Sequence, residues 1–136
     1  MIEIFQGTDQ DLYMRVSPLV MNPDVLKANN NYPFKTGENF TWFLYTIEDK
    51  IKGFLPVELR NNIAIINNYY VVRNKTDVLS SLLKEAKRIL GQKNILTAVV
   101  QTRDIPVFEE NGFNTVREWK KYVKMTWEYE KSPERL

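Results

Sequence analysis

The stretch that decides the fold runs from residue 63 to residue 113 and reads IAIINNYYVVRNKTDVLSSLLKEAKRILGQKNILTAVVQTRDIPVFEENGF. Ile63 to Val72 is apolar, aromatic and β-branched, the composition of a strand. Val78, Leu79, Leu82, Leu83, Ala86, Ile89 and Leu90 then recur at helical spacing, with Thr76 or Asp77 as cap and Gly91 as stop. Ile95 to Val100 is a second apolar run, and Asp104 with Pro106 opens a short helix that Gly112 ends. Strand, helix and strand in this order form a parallel crossover unit, which opens a crevice at the carboxyl ends of its two strands. Function is therefore sought at Tyr69 to Asp77 and at Val99 to Asp104.

Working outward, Ile2 and Ile4 alternate with Glu3 as a first strand. Thr8 or Asp9 then caps a helix carrying Leu12, Val16, Leu19 and Val20, which Pro18 keeps short or bent. Asn22-Pro23 is a cap and first-turn proline for another short helix, ended by the polar run from Asn29 to Pro33. Phe40 to Ile47 and Gly53 to Leu59 read as an antiparallel hairpin, in which Pro56 belongs at a bulge or an edge because it cannot donate to a ladder. Alternation from Trp119 to Trp127 predicts a last strand, and Tyr129 to Leu136 a frayed tail.

The chain has 136 residues, 43% hydrophobic and 12% aromatic, enough for one domain over residues 1–136 with a sizeable core. Net charge is +2 with both signs mixed throughout, so no field calls for nucleic acid or an anionic membrane as partner. With no cysteine and no histidine, disulfides, thiolate chemistry, zinc centres and Ser-His-Asp triads are excluded, and no metal is expected. No window approaches the roughly 18 uncharged apolar residues of a membrane span, and a soluble protein of the cytoplasm is expected.

Strand, two helices, an antiparallel meander, the crossover unit and a short helix ending in Gly112-Phe113 before a closing strand: this order resembles the GNAT superfamily of acyl-CoA-dependent N-acyltransferases. Val78-Leu79-Ser80-Ser81-Leu82-Leu83 is similar to the start of that family's central helix, and Val107-Phe108-Glu109-Glu110-Asn111-Gly112-Phe113 resembles its Tyr-Glu-Lys-Leu-Gly-Phe signature. The resemblance implies an α/β fold with a mixed, mainly antiparallel sheet of about six to seven strands flanked by helices on both faces. It also implies acetyl-CoA as cosubstrate, transfer of an acetyl or other acyl group to a small-molecule or protein amine, and a homodimer as assembly. Two motifs depart from the family. Its Gly-x-Gly turn, which lets helix-start amides approach a pyrophosphate, falls here on Asp77 and Leu79, and Asp77 is placed to take the first-turn amides itself. Its proton-donating tyrosine falls on Phe108.

The expected cofactor contacts are Val71, Val72, Arg73 and Lys75 at the first corner, with Gln101 and Phe108 at the second. Glu58 or Asp104 is the candidate base, with water relayed by Asn67 or Asn68 as a further route, and Tyr70 ranks ahead of Tyr69 and Tyr122 as proton donor. Tyr32, Phe34 and Glu38, in a long polar and aromatic connection, are expected to wall the acceptor pocket. The departures at Asp77, Leu79 and Phe108 equally suit a GNAT-like module that has lost catalysis and only binds or regulates. Lys120, Tyr122 and Lys124, flanked by Trp119 and Trp127, would in a nucleic-acid binder form the basic strand face, but the near-neutral charge weighs against it.

Overall fold

The computed structural model describes residues 1–133. Eight strands among them form a single sheet: β1 (Ile2–Gln6), β2 (Phe40–Ile47), β3 (Lys50–Arg60), β4 (Ile63–Ile66), β5 (Tyr70–Val71), β6 (Ile95–Gln101), β7 (Asn114–Glu118) and β8 (Tyr122–Trp127). Their order is β1-β2-β3-β4-β6-β8-β7, with β5 beside β3. Every pairing is antiparallel except β4 with β6, so the mixed, mainly antiparallel sheet expected from the sequence is present.

Helices cover both faces. The face formed by Phe43, Leu55, Val57, Ile66, Tyr69, Val100 and Met125 packs on α3 (Thr76–Leu90) and α4 (Ile105–Glu110) through Leu79, Leu82, Leu83 and Phe108. On the other face, Trp42, Leu44 and Phe54 meet Leu12, Val16 and Val25 of α1 (Gln10–Val20) and α2 (Pro23–Ala28). Strand alternation explains the division, since Trp42 and Leu44 point one way and Phe43 the other. A fork from Arg15 to the Glu3 carboxylate, at 3.1 and 3.0 Å, ties α1 to β1.

Local chemistry sets the turns. Glu48-Asp49 and Asn61-Asn62 all have positive φ, the geometry of two-residue hairpin turns, which the short polar side chains of Asp49, Asn61 and Asn62 tolerate. Asn22 caps α2 as expected, its Oδ1 accepting from the Asp24 amide at 2.8 Å, and Gly112 leaves α4 at φ +88°. Asp9 occupies the cap position of α1, yet its carboxylate accepts from the Gln6 amide behind it instead of the helix.

Three expectations are corrected. The apolar run from Ile63 to Val72 is not one strand: β4 stops at Ile66, β5 is a separate pair of residues, and Val72–Asn74 winds into a 3-10 turn. The closing strand is shorter than its alternation: β8 begins at Tyr122, with residues 119–121 in the connection before it, and a separate strand, β7, whose residues are all exposed, carries no apolar stripe to announce it. The tail holds a 3-10 turn at Tyr129–Lys131, with Tyr129 edge-on to Trp127 at 6.5 Å; positions 134–136 lie outside the described residues. At the sheet edge, β7 shifts register between Thr115 and Arg117, and the Arg117 guanidinium lies 5.0 Å from the Trp119 ring.

Candidate functional site

The site is built where the two parallel strands part. β4 and β6 pair from Ile63↔Ile95 to Ile66↔Ala98, and there the pairing ends. Antiparallel pairing of β3 with β4 reaches Val57↔Ile66 and resumes with β5 at Phe54↔Tyr70, so Leu55-Pro56 faces the longer stretch Asn67-Asn68-Tyr69. That is a bulge, opposite the proline that cannot donate, and it swings the chain towards β3 while β6 continues with β8 to Gln101. Gly53 permits the swing, since a Cβ there would stand 2.8 Å from Val71 Cγ1 and 2.9 Å from Val78 Cγ1. In an antiparallel ladder alternate amides point to either side, so one of Tyr70 and Val71 turns its N–H away from β3 and into the opening.

Tyr69 stands in this opening, on the face of α3 and α4. It is buried, packs at 5.7 Å on Phe108, and donates its hydroxyl proton to Asp104 Oδ2 at 2.5 Å, while the Gln101 amide donates to its oxygen at 3.4 Å. Burial, followed by the Asp104 carboxylate, pushes the phenol well above its ordinary value. Arg103 approaches the same carboxylate at 3.7 Å.

On the opposite face the opening widens into a recess of about 340 Å³. Its walls are the connection after α2 (Asn29, Tyr32, Pro33, Lys35), the bulge (Asn67, Asn68) and the second strand with its neighbour (Val99, Gln101, Tyr122). A side recess of about 80 Å³ shares Lys35, Asn67 and Asn68 and adds Glu58. Amide side chains fix the connection in place: Asn29 Nδ2 donates to Asn68 Oδ1 at 3.0 Å, Asn68 Nδ2 to the Pro33 carbonyl at 3.1 Å, and Gln101 Nε2 to the Ala28 carbonyl at 3.0 Å. Asn30 donates to the Tyr122 hydroxyl at 2.8 Å, and the Tyr32 and Tyr122 rings lie 6.3 Å apart. Burial would raise the Glu58 carboxyl, but hydrogen bonds from Arg60 at 2.5 Å and Asn39 at 3.0 Å, helped by the Arg60 and Lys35 charges, outweigh it and hold the group below its usual range.

Beyond β5, Arg73 adopts φ +47°, and Lys75, not Thr76 or Asp77, is the cap residue of α3. No described side chain caps this helix start, so Asp77 leaves the first-turn amides unclaimed. Arg73, Lys75 and Asp77 are all exposed there. For the phosphates of an acyl-CoA the fit is mixed: open amides and two cations favour them, and one carboxylate opposes them.

Several expected site residues stand elsewhere than the sequence suggested. Glu58 and Asp104 lie on opposite faces of the sheet, the first in the side recess and the second bound to Tyr69, so they do not converge. Tyr70 packs on Phe54 at 5.7 Å within the α1–α2 core, and burial and then Asp24 raise its phenol. Gln101 donates its side-chain amide to the end of α2, on the side of the sheet away from α3, and Phe108 is fully buried between Tyr69 and Phe113. Tyr32 does line the recess, whereas Phe34 packs edge-on against Phe54 at 5.0 Å and Glu38 points to solvent outside it. Val71, Val72, Arg73 and Lys75 follow one another from β5 to α3, as expected. Asn29 opens the connection expected to wall the acceptor pocket, and its hold on Asn68 has a sequence signal only in the two asparagine-rich runs, residues 29–31 and 67–68, which the fold joins.

No protein-family model matches the sequence, and no curated protein does. Solved structures match closely in shape. They include an aminoglycoside 6'-N-acetyltransferase from Enterococcus faecium, at 10% identity over 93% of this chain and 96% of that one with a TM-score of 0.66. An acyl-CoA N-acyltransferase from Pseudomonas aeruginosa matches at 13% identity over 93% and 98%, TM-score 0.66. The N-acetyltransferase PseH from Campylobacter jejuni, solved with acetyl coenzyme A, matches at 14% identity over 94% and 99%, TM-score 0.58. At such identities the likeness is one of fold: the chain has the GNAT fold.

Proposed function

We propose that this chain, carrying the GNAT fold, is an N-acyltransferase that moves an acetyl or other acyl group from acyl-CoA to a primary amine by direct attack in a ternary complex. The observation that carries the reading is the parting of β4 and β6 after Ile66↔Ala98, with a helix start that no described side chain caps on one side and a polar recess on the other. Acyl-CoA would supply the activated thioester, with its thiol as leaving group.

The roles follow from placement. Arg73, Lys75 and the first-turn amides of α3 suit phosphate, and the inward amide of Tyr70 or Val71 suits a carbonyl that gains negative charge. Glu58 is a weak base because its partners stabilise the carboxylate, so its suited part is to orient an ammonium, with the proton leaving through water beside Asn67. The hydroxyl in the parting is that of Tyr69, stacked on Phe108, which takes the family tyrosine's place.

Thermal melting with acetyl-CoA is the first test: stabilisation at millimolar ligand, enhanced by Asp77→Gly through removal of a repelling charge, supports the reading, and none counts against it. Amine-dependent release of free thiol then tests transfer. A second reading, a binding or regulatory module without catalysis, is favoured by the engagement of the Tyr69 hydroxyl with Asp104 and by the burial of Phe108. Stabilisation by acetyl-CoA without thiol release across an amine panel would select it.

A further inference from the structure

We infer that the amine accepted at the recess is carried by a small hydroxylated molecule that also bears an anionic group, and that polycationic amines are poor acceptors. The inference rests on the transferase reading for its chemistry but on the recess alone for its selectivity. An acceptor site for a polyamine needs several carboxylates to replace the water around each ammonium. Among the described residues lining the two joined recesses, Glu58 is the sole acid, enough to orient one ammonium but not several, and it is shared with Arg60 at 2.5 Å. Lys35 lines both recesses, and Lys124 stands beside Val99 across the β6–β8 ladder on the same face. The local balance is positive, so it attracts an anion and repels added cations.

The remaining wall says what else the molecule carries. Asn67 presents a donor and an acceptor from the bulge, and the Tyr32 and Tyr122 hydroxyls add polar tips to aromatic faces. Planar amides match neighbouring hydroxyls, and tilted rings cover the apolar face of a saturated ring. A volume of about 340 Å³ lies at the small end of ligand pockets, suited to one such ring and not to a multi-ring compound.

The test measures binding by calorimetry without acyl-CoA, using glucosamine 6-phosphate, glucosamine and spermidine as probes on the full chain. Glucosamine 6-phosphate should bind about tenfold more tightly than glucosamine, with spermidine weakest, and Lys35→Glu should remove that preference while leaving the melting temperature unchanged. Spermidine binding as tightly as the sugar phosphate, no binding of the sugar phosphate at millimolar concentration, or a preference untouched by Lys35→Glu would each overturn the inference. Binding of the sugar phosphate with no response to acetyl-CoA would support the recess as described and remove the transferase reading alone. Thiol release faster with spermidine than with glucosamine 6-phosphate would keep the transferase reading and overturn this one.

Discussion

The two faces of the sheet are built to different rules, although one set of strands makes both. Towards α3 and α4 nearly every inward side chain is apolar and the core reaches from Phe43 to Trp127. Towards α1 and α2 the apolar core stops at Phe54 and Trp42, and beyond it the surface over β4, β6 and β8 is an amide-lined hollow. Tyr69 and Tyr70, neighbours in sequence, belong one to each face. The closed face holds the strands in their parted arrangement, and the open face is where a polar ligand can be met without disturbing that core.

The largest expected effect tests the closed face. Phe108→Ala should lower the unfolding free energy by about 3–5 kcal/mol in urea titrations, because a fully buried ring between Tyr69 and Phe113 is removed. Tyr69→Phe should cost about 1–3 kcal/mol by leaving the buried Asp104 carboxylate without its donor. Because its phenol is raised in the fold, Tyr69 contributes stability that is intact below about pH 10, the ordinary tyrosine value, and is lost as pH rises further, when the unfolded chain ionises first. Melting curves above that pH should therefore fall more steeply for the native chain than for Tyr69→Phe. An equal slope would mean that the phenol is not held protonated.

Gly53→Ala probes the seam between the faces: it should cost about 1–3 kcal/mol and weaken any acetyl-CoA stabilisation, by pushing β5 off β3. On the open face Asn22→Ala should cost only about 1 kcal/mol, since it removes a cap and no core contact. A loss at Asn22 as large as that at Phe108 would erase the distinction drawn between the two sides.

The same contrast explains what could be read from the chain. Regular periodicity gave α3 and the β2–β3 hairpin, and Asn22-Pro23 gave the α2 cap, because each is decided by residues near in sequence. The break in the run from Ile63 to Val72 was not legible, since it depends on Pro56 and Gly53 in the neighbouring strand and on Asn29 and Pro33 holding Asn68. Once the bulge adds a residue, every side chain beyond it changes face, so Tyr70, ranked ahead of Tyr69, turns to the α1–α2 core while Tyr69 takes the parting. Glu58 and Asp104 looked equivalent in the sequence because side-chain chemistry carries no record of which face a residue will occupy.

At the far margin of the sheet, the outermost strand bears Arg117 and Glu118, and its ladder slips beside Val116. A sheet that ended in a straight, uncharged strand would invite another molecule to continue it. Here a newcomer would meet a kinked backbone and charges of both signs, so growth into fibrils by edge addition is discouraged.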